Sequence, residues 1–94
     1  MTYELRFLRE AKKEWDGIGH TIREQFKNKL AERLAEPRVE GDRLHGHRDR
    51  YKIKLRSAGY RLVYEVRDKD VVVLVIAVGK RERSAVYKAA NRRH

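Results

Sequence analysis

The chain has 94 residues, with 24 Lys and Arg against 14 Asp and Glu, a formal net charge of +10, and no cysteine. This length suits one domain with a modest core. The lack of cysteine excludes disulfides, thiolate catalysis and zinc sites with cysteine ligands. No apolar run approaches the roughly 20 residues of a membrane-spanning helix, and no signal-peptide pattern is present. We therefore expect a cytoplasmic protein without a membrane partner.

The first 37 residues predict a strand followed by two helices. Apolar residues alternate with polar ones in the first seven positions, which indicates a short strand. Apolar residues at helical spacing follow, and Gly17 and Gly19 end that helix. A capping box at Thr21–Glu24 predicts the start of a second helix, and Pro37 ends it at about Glu36. We expect the two helices to form an α-hairpin on one face of a sheet.

The rest of the chain predicts three strands and a short helix. A polar loop covers residues 38–49, strands follow at about 50–56, 60–67 and 71–78, and a helix begins at about Ser84. The last strand is apolar throughout, which is typical of a central strand. The predicted fold class is therefore α+β in the order β-α-α-β-β-β-α. It has a mostly antiparallel four-stranded sheet, an α-hairpin on one face and a short C-terminal helix.

The positive charge is concentrated in this second half. Residues 1–47 hold 10 basic and 9 acidic side chains, whereas residues 48–94 hold 14 basic and 5 acidic ones. A polyanion-binding surface has this charge distribution. Nucleic acid fits it better than an anionic membrane, because the cations follow a strand pattern and not an amphipathic helix.

The strand at 50–56 alternates apolar and cationic side chains, so one of its faces is strongly positive. A two-residue loop at Ala58-Gly59 would set Arg61 of the next strand opposite Arg56, and Val63 opposite Lys54. Four cations then share one face: Lys52, Lys54, Arg56 and Arg61. Because like charges on one face oppose folding unless they bind an anion, we interpret this face as a candidate site.

Clustered Lys, Arg and Tyr suit phosphate binding and base stacking, and they also suit RNA cleavage. Cleavage needs a deprotonated 2′-hydroxyl, stabilised charge on the phosphorus oxygens and a protonated 5′-oxygen. Fixed cations stabilise the charge, and repulsion between cations lowers the pKa of a Lys or Tyr toward that of a general base. An Arg donates to the leaving oxygen. A second cluster for this chemistry consists of Lys80 and Arg81 after the central strand, with Tyr87 on the last helix.

His45 and His47, with Asp42 and Asp49 nearby, are a candidate metal site. Two histidines two positions apart in a basic loop are more often polar surface, and a third well-spaced ligand is lacking. We therefore expect neither a metal nor another cofactor.

Three segments together resemble the RelE family of bacterial toxins: YKIKLRS at 51–57, GYRLVY at 59–64 and VGKRERS at 78–84, followed by Tyr87. The resemblance extends over nearly the whole chain and implies one RelE-like toxin domain at 1–94. Toxins of this family are ribosome-dependent endoribonucleases that cleave mRNA in the ribosomal A site without a metal. The resemblance thus implies three partners: the bacterial ribosome with A-site mRNA, a RelB-type antitoxin, and operator DNA indirectly through that antitoxin.

The resemblance also implies the catalytic residues, which are Lys52, Lys54, Arg61, Arg81 and Tyr87. Tyr87 or Lys54 would be the base for the 2′-hydroxyl, and Arg81 the acid at the 5′-oxygen. Lys52, Lys54 and Arg61 would hold the phosphate.

We interpret a wider basic surface as docking to RNA of the ribosome: His45, Arg48, Arg50, Arg56, Lys80 and Arg83. His45 stands where relatives commonly have Arg, so a contact made there loses its constant charge at neutral pH.

Three alternatives stay open. Tyr87 is also placed to pack the last helix against the sheet. The chain as a whole is also compatible with a non-catalytic toxin that poisons gyrase, like the ParE toxins, and with a plain module that binds ribosomal RNA. Steep salt dependence without strand scission would indicate the last.

Overall fold

The chain folds into one mixed sheet with helices on both faces. The computed structural model describes residues 2–93, apart from the side chain of Arg83. Within these residues the strands are β1 (Glu4–Phe7), β2 (Arg50–Leu55), β3 (Tyr60–Arg67) and β4 (Val72–Lys80), and the helices are α1 (Arg9–Gly17), α2 (His20–Ala35) and α3 (Ala85–Arg92). The strand order is β1-β4-β3-β2, with β1 parallel to β4 and the other pairs antiparallel. The predicted fold class and element order are confirmed.

The first face of the sheet carries the aromatic core under α1 and α2. The ring of Trp15 lies 5.3 Å from that of Phe7 and 6.1 Å from that of Phe26, and Tyr51 stacks on Tyr64 at 5.7 Å. Because strand side chains alternate, the apolar residues of β2 and all those of β3 except Val63 point into this core. Their cations therefore point to the opposite face.

α3 packs on the second face, over β3 and β4. Buried Val63 and Ile76 of the sheet meet Val86 and Ala90 of the helix. A Cβ atom at Gly79 would lie 3.2 Å from Cγ2 of Val86, so the missing side chain lets the helix approach the strand. β4 is buried from Val72 to Val78, which confirms the prediction of a central strand.

Beyond the end of β1, side chains take the place of a neighbouring strand along the outer edge of β4. β4 runs past β1, and a bulge near Ile76 shifts its register with β3. Beyond that point the Val78 N–H donates to Glu14 of α1 at 3.1 Å, and Arg93 donates to the Ile76 carbonyl at 2.9 Å and to Glu14 at 2.8 Å. These contacts satisfy backbone groups that an open edge would expose.

The predicted β2–β3 register is wrong by two residues. The loop spans residues 56–59, so Lys54 pairs with Arg61, and Arg56 lies in the turn instead of the strand. Gly59 adopts φ +72°, and its N–H donates to the Leu55 carbonyl at 2.8 Å, which closes the longer turn. A slip of two residues leaves every side chain on its face, so the cations of both strands stay together as predicted.

The predicted capping box at Thr21–Glu24 is also wrong. α2 begins at His20, and Gly19 is its N-cap, with extended backbone and no side-chain hydrogen bond to the helix. Because the helix starts earlier, Thr21 lies inside its first turn. The end of α2 next to Glu36 is confirmed. Within residues 2–93, no helix combines the length and apolar character needed to cross a bilayer.

Candidate active site

Two strands bring three of the predicted catalytic cations together on the second face of the sheet. Lys52 pairs with Val63, and Lys54 pairs directly with Arg61. Lys52 and Lys54 are half-buried, whereas Arg61 is only 7% exposed, and its Nη1 donates to the Tyr60 carbonyl at 2.9 Å. The structure therefore places a largely buried arginine on the same face of the sheet as two lysines.

These cations are not paired with acidic side chains in the described part of the chain. Within residues 2–93, no carboxylate oxygen lies within 4 Å of five basic groups on or near this face: Lys52, Lys54, Arg56, Arg61 and Arg81. Asp42 attracts Lys54 at longer range, but its carboxylate is bonded to Arg33 at 2.6 Å. We name Lys52, Lys54 and Arg61 the strand cations.

Mutual repulsion perturbs the middle residue of this group. The charge of Lys52, then partial desolvation, then the charges of Arg56 and Arg61 lower the pKa of Lys54 below its ordinary value of 10.5. Repulsion of this kind makes an ammonium easier to deprotonate. A lysine so affected is a candidate general base as well as a phosphate ligand.

Arg81 and Tyr87 belong to two other parts of the chain. The Arg81 N–H donates to the Gly59 carbonyl at 2.9 Å, which ties the exposed Arg81 to the β2–β3 turn. Tyr87 lies on α3, and its half-buried ring packs against the apolar cluster beneath that helix. Tyr87 therefore does pack the helix, as the alternative predicts, on the face that carries the strand cations.

Part of the predicted docking surface adjoins the strand cations. His45 and Arg48 line an open depression of about 460 Å³ together with Lys52, and Arg56 is exposed in the turn next to Lys54. Lys80 is exposed as well, but it pairs with Tyr60, whose side chain packs on the first face of the sheet. The side chain of Arg83 lies outside what the structure describes.

The expectation that Arg50 docks to RNA is wrong. Arg50 is 7% exposed, and its guanidinium bonds to Glu65, to the Ala90 carbonyl and to the Arg93 carbonyl. Its donors face the interior because the C-terminal end of α3 covers this part of β2. The periodic pattern identified the correct face of the strand but not the helix that covers it.

The histidine loop also has contacts that the sequence did not predict. His47 Nε2 lies 2.9 Å from Asn91 Oδ1 of α3. In the part of the chain that the structure describes, no group of three or more His, Asp and Glu side chains gathers as a metal site would require. Leu44 packs under α3, and an apolar residue within this polar stretch was the signal that the loop folds back.

Comparisons with known proteins agree with this architecture. A family model described as the ParE toxin of the type II toxin-antitoxin system parDE matches residues 5–85. The mRNA interferase toxin RelE of Escherichia coli strain K12 is 59% identical over 93 residues, which are 99% of this chain and 98% of that protein. This chain belongs to the RelE family of toxins.

Solved structures of RelE show the same fold. A free mutant of the E. coli RelE toxin with two arginines changed to alanine superimposes with a TM-score of 0.91, at 56% identity, covering 98% of this chain and 97% of that chain. The same mutant in complex with an antitoxin RelBc peptide gives 0.84 at 58% identity, covering 96% and 95%. The family resemblance seen in the sequence is confirmed.

Proposed function

We propose that this chain is the toxin of a type II toxin–antitoxin system and an mRNA interferase that cleaves mRNA in the ribosomal A site. The name of its E. coli relative, at 59% identity over nearly the full length, supports RNA cleavage. The observation that carries the proposal is the row of strand cations without carboxylate partners in the described chain. Such a row stabilises a phosphorane-like charge on one scissile linkage.

In this mechanism the RNA supplies its own nucleophile. The 2′-hydroxyl loses its proton to a base and attacks the adjacent phosphorus, and the strand cations stabilise the charge that builds on the phosphorus oxygens. The bond to the 5′-oxygen breaks as Arg81 donates a proton to it. The products are a 2′,3′-cyclic phosphate and a 5′-hydroxyl end. Because fixed cations supply the charge stabilisation, the step needs no metal.

Two residues compete for the role of base. Repulsion from neighbouring cations lowers the pKa of Lys54 and raises its neutral fraction near neutral pH. Tyr87 is the other candidate, because it lies on α3, which packs on the face of the sheet that carries the strand cations. The role is assigned by replacing each residue in turn and measuring the cleavage rate against pH. Only the loss of the base should remove the part of the pH–rate profile in which the rate rises with pH.

The basic surface around the site docks the toxin onto the ribosome. His45, Arg48 and Arg56 are exposed beside the strand cations and contribute phosphate contacts, each of which makes binding more sensitive to salt. The toxin acts in the cytoplasm, where the ribosome is.

A RelB-type antitoxin inhibits this toxin, and the pair represses its own operon, with the antitoxin contacting the operator DNA. Support comes from the relatives, since E. coli RelE has been solved in an intact RelBE toxin–antitoxin complex at 59% identity to this chain. Co-expression of a RelB-type antitoxin should abolish growth inhibition by the toxin.

Mapping mRNA 5′ ends by primer extension, with and without ribosomes, tests the proposal. New ends should appear inside codons of ribosome-engaged mRNA, and naked mRNA should stay nearly intact. Intact mRNA at one toxin per ribosome would contradict the enzymatic function. Cutting of naked mRNA at the same rate would contradict its dependence on the ribosome.

A second candidate is a gyrase poison like the ParE toxins, because the matching family model is described as the ParE toxin. It predicts that DNA synthesis stops before protein synthesis after induction. Pulse labelling with thymidine and methionine separates the two, and an earlier loss of methionine incorporation supports the interferase.

A further inference from the structure

The helix that carries Tyr87 is too short to hold its own position. α3 has eight residues, and isolated helices of that length are marginal in water. Its last turn also leaves carbonyl groups without intrahelical partners. The contacts at its C-terminal end therefore decide where the helix lies on the sheet.

Arg50 of β2 donates to two carbonyl groups at this end of the helix. Its Nη1 donates to the Ala90 carbonyl at 2.6 Å, its Nη2 to the Arg93 carbonyl at 2.8 Å, and its Nε to Glu65 at 3.0 Å. All three contacts are made by a side chain that is 8% exposed. A guanidinium at this end also complements the negative pole of the helix.

We infer that Arg50 is a positioning residue that fixes α3, and with it Tyr87, relative to the strand cations. Arg50, Lys52 and Lys54 alternate along β2 and share one face. Arg50 bonds to the end of α3, whereas Lys52 and Lys54 remain partly exposed and can bind a ligand. The inference rests on the proposed function, in which Tyr87 and these lysines act on the same RNA linkage.

Two other sets of contacts also hold the C-terminal end of α3, so they limit the expected effect of replacing Arg50. The Arg93 side chain bonds to Glu14 and to the Ile76 carbonyl, and His47 contacts Asn91. Loss of Arg50 should therefore loosen the C-terminal half of α3 without detaching it. Glu65 also keeps its bond to Arg67 at 2.8 Å, so it is not left unpaired.

The variant Arg50→Met keeps the length of the side chain and removes its donors. Arg33→Met is the matched control, because Arg33 is similarly shielded, at 12% side-chain exposure against 8%. It likewise bonds three acceptors, namely the Tyr64 hydroxyl, Asp42 and the Lys52 carbonyl, and it lies on the other face from α3. Both variants are made in the full chain.

Amide hydrogen exchange and fluorine NMR detect the position of α3 without any RNA. In Arg50→Met, protection of the α3 amides should fall by about ten-fold or more relative to β4, as expected for the loss of buried hydrogen bonds. A 3-fluorotyrosine at position 87 should shift and broaden. In Arg33→Met, α3 and β4 should change together. Equal changes of α3 and β4 in Arg50→Met would overturn the inference.

Single-turnover cleavage on programmed ribosomes tests the consequence for catalysis. Arg50→Met should cut about ten-fold more slowly at saturating toxin, with ribosome affinity within about two-fold, because the donors of Arg50 are already held by Glu65 and two carbonyl groups. Arg50→Lys, which restores one donor, should recover part of the rate. A loosened α3 with an unchanged rate would overturn the positioning role. If the wild-type chain cuts no mRNA, the proposed function fails, while exchange and fluorine NMR still decide whether Arg50 fixes the helix.

Discussion

The two ends of the β2–β3 pairing carry the same kinds of basic side chain in opposite electrostatic settings. At one end, which we name the paired end, Arg50 and Arg67 both bond to Glu65, at 3.0 and 2.8 Å. At the other, the open end, Lys54 faces Arg61, and neither has a carboxylate within 4 Å in the described chain. We therefore expect arginines with internal acidic partners to stabilise the fold, and those without them to bind an anionic ligand.

A nearby second example shows the same division. Arg38 bonds to Asp68 at 2.8 Å and to Asp49 at 3.0 Å, and Asp68 also accepts a hydrogen bond from Tyr3 at 2.6 Å. This network links the N-terminal strand to the β3–β4 turn. Net charge alone therefore does not separate the arginines with acidic partners inside the fold from those without them.

The largest expected effect is at the open end. Arg61→Met keeps most of the buried volume and removes the guanidinium, so cleavage on the ribosome should fall by about 10²–10³-fold, as for other lost transition-state donors. Single-turnover primer extension measures it. Arg67→Met, at the paired end, is the control and should change the rate by no more than about two-fold. Equal losses of cleavage rate in the two variants would contradict a functional difference between the two ends.

The paired end should instead lose stability when its acid is neutralised. Glu65→Gln keeps the shape but leaves the buried guanidinium of Arg50 without a counter-charge, so the free energy of unfolding should fall by about 1–3 kcal/mol. Urea denaturation followed by circular dichroism measures the change. Unaltered stability would mean that the Arg50–Glu65 pair contributes nothing beyond a neutral contact.

Local patterns predicted the faces of the strands but not the partners across them. Alternation put Lys52 and Lys54 on one face whatever the loop length, because a slip of two residues conserves the face. The register itself depended on Gly59, whose left-handed backbone favours a longer turn than the one predicted. No local pattern links Arg50 to Ala90, since their contact spans 40 positions and exists only once α3 has docked.

Removing one like charge at the open end should make the protein more stable and less active. Lys54→Met relieves repulsion with Lys52 and Arg61, so the urea midpoint should rise, whereas cleavage should fall with the loss of a phosphate ligand. Lys27→Met on α2 is the control, because Lys27 pairs with Glu24 at 3.1 Å and lies outside the sheet. A lower midpoint for Lys54→Met would show that repulsion at the open end is already relieved in the free protein.

The two ends should also respond to pH in separate ranges. Partial burial raises the pKa of Glu65, but hydrogen bonds from Arg67 and Arg50 outweigh this and hold it below its ordinary value of 4.5. The pKa of Lys54 is likewise lowered, chiefly by Lys52. In both cases the unfolded chain binds more protons between the two pKa values, so stability rises with pH in that window.

Glu65 should therefore stabilise the fold fully above pH 4.5, and this contribution should be lost as pH falls through the lowered pKa. Charged Lys54 should destabilise the fold until pH rises through its lowered pKa toward 10.5. Unfolding free energies of the wild type against Glu65→Gln in acid, and against Lys54→Met in alkali, measure each range. A constant difference across either range would contradict the corresponding pKa shift.

The smallest expected effect comes from the turns that close the two ends. The turn at the open end places Gly59 at φ +72°, whereas the turn at the paired end forces Val71 to φ +55°, a strained backbone for a β-branched residue. Val71→Asn should stabilise by a few tenths to about 1 kcal/mol, because Asn tolerates this conformation. Gly59→Ala should destabilise by about 1 kcal/mol through the backbone alone, since nothing lies within 4 Å of the added carbon. Urea midpoints that move in the same direction for both substitutions would contradict the assignment of strain to Val71.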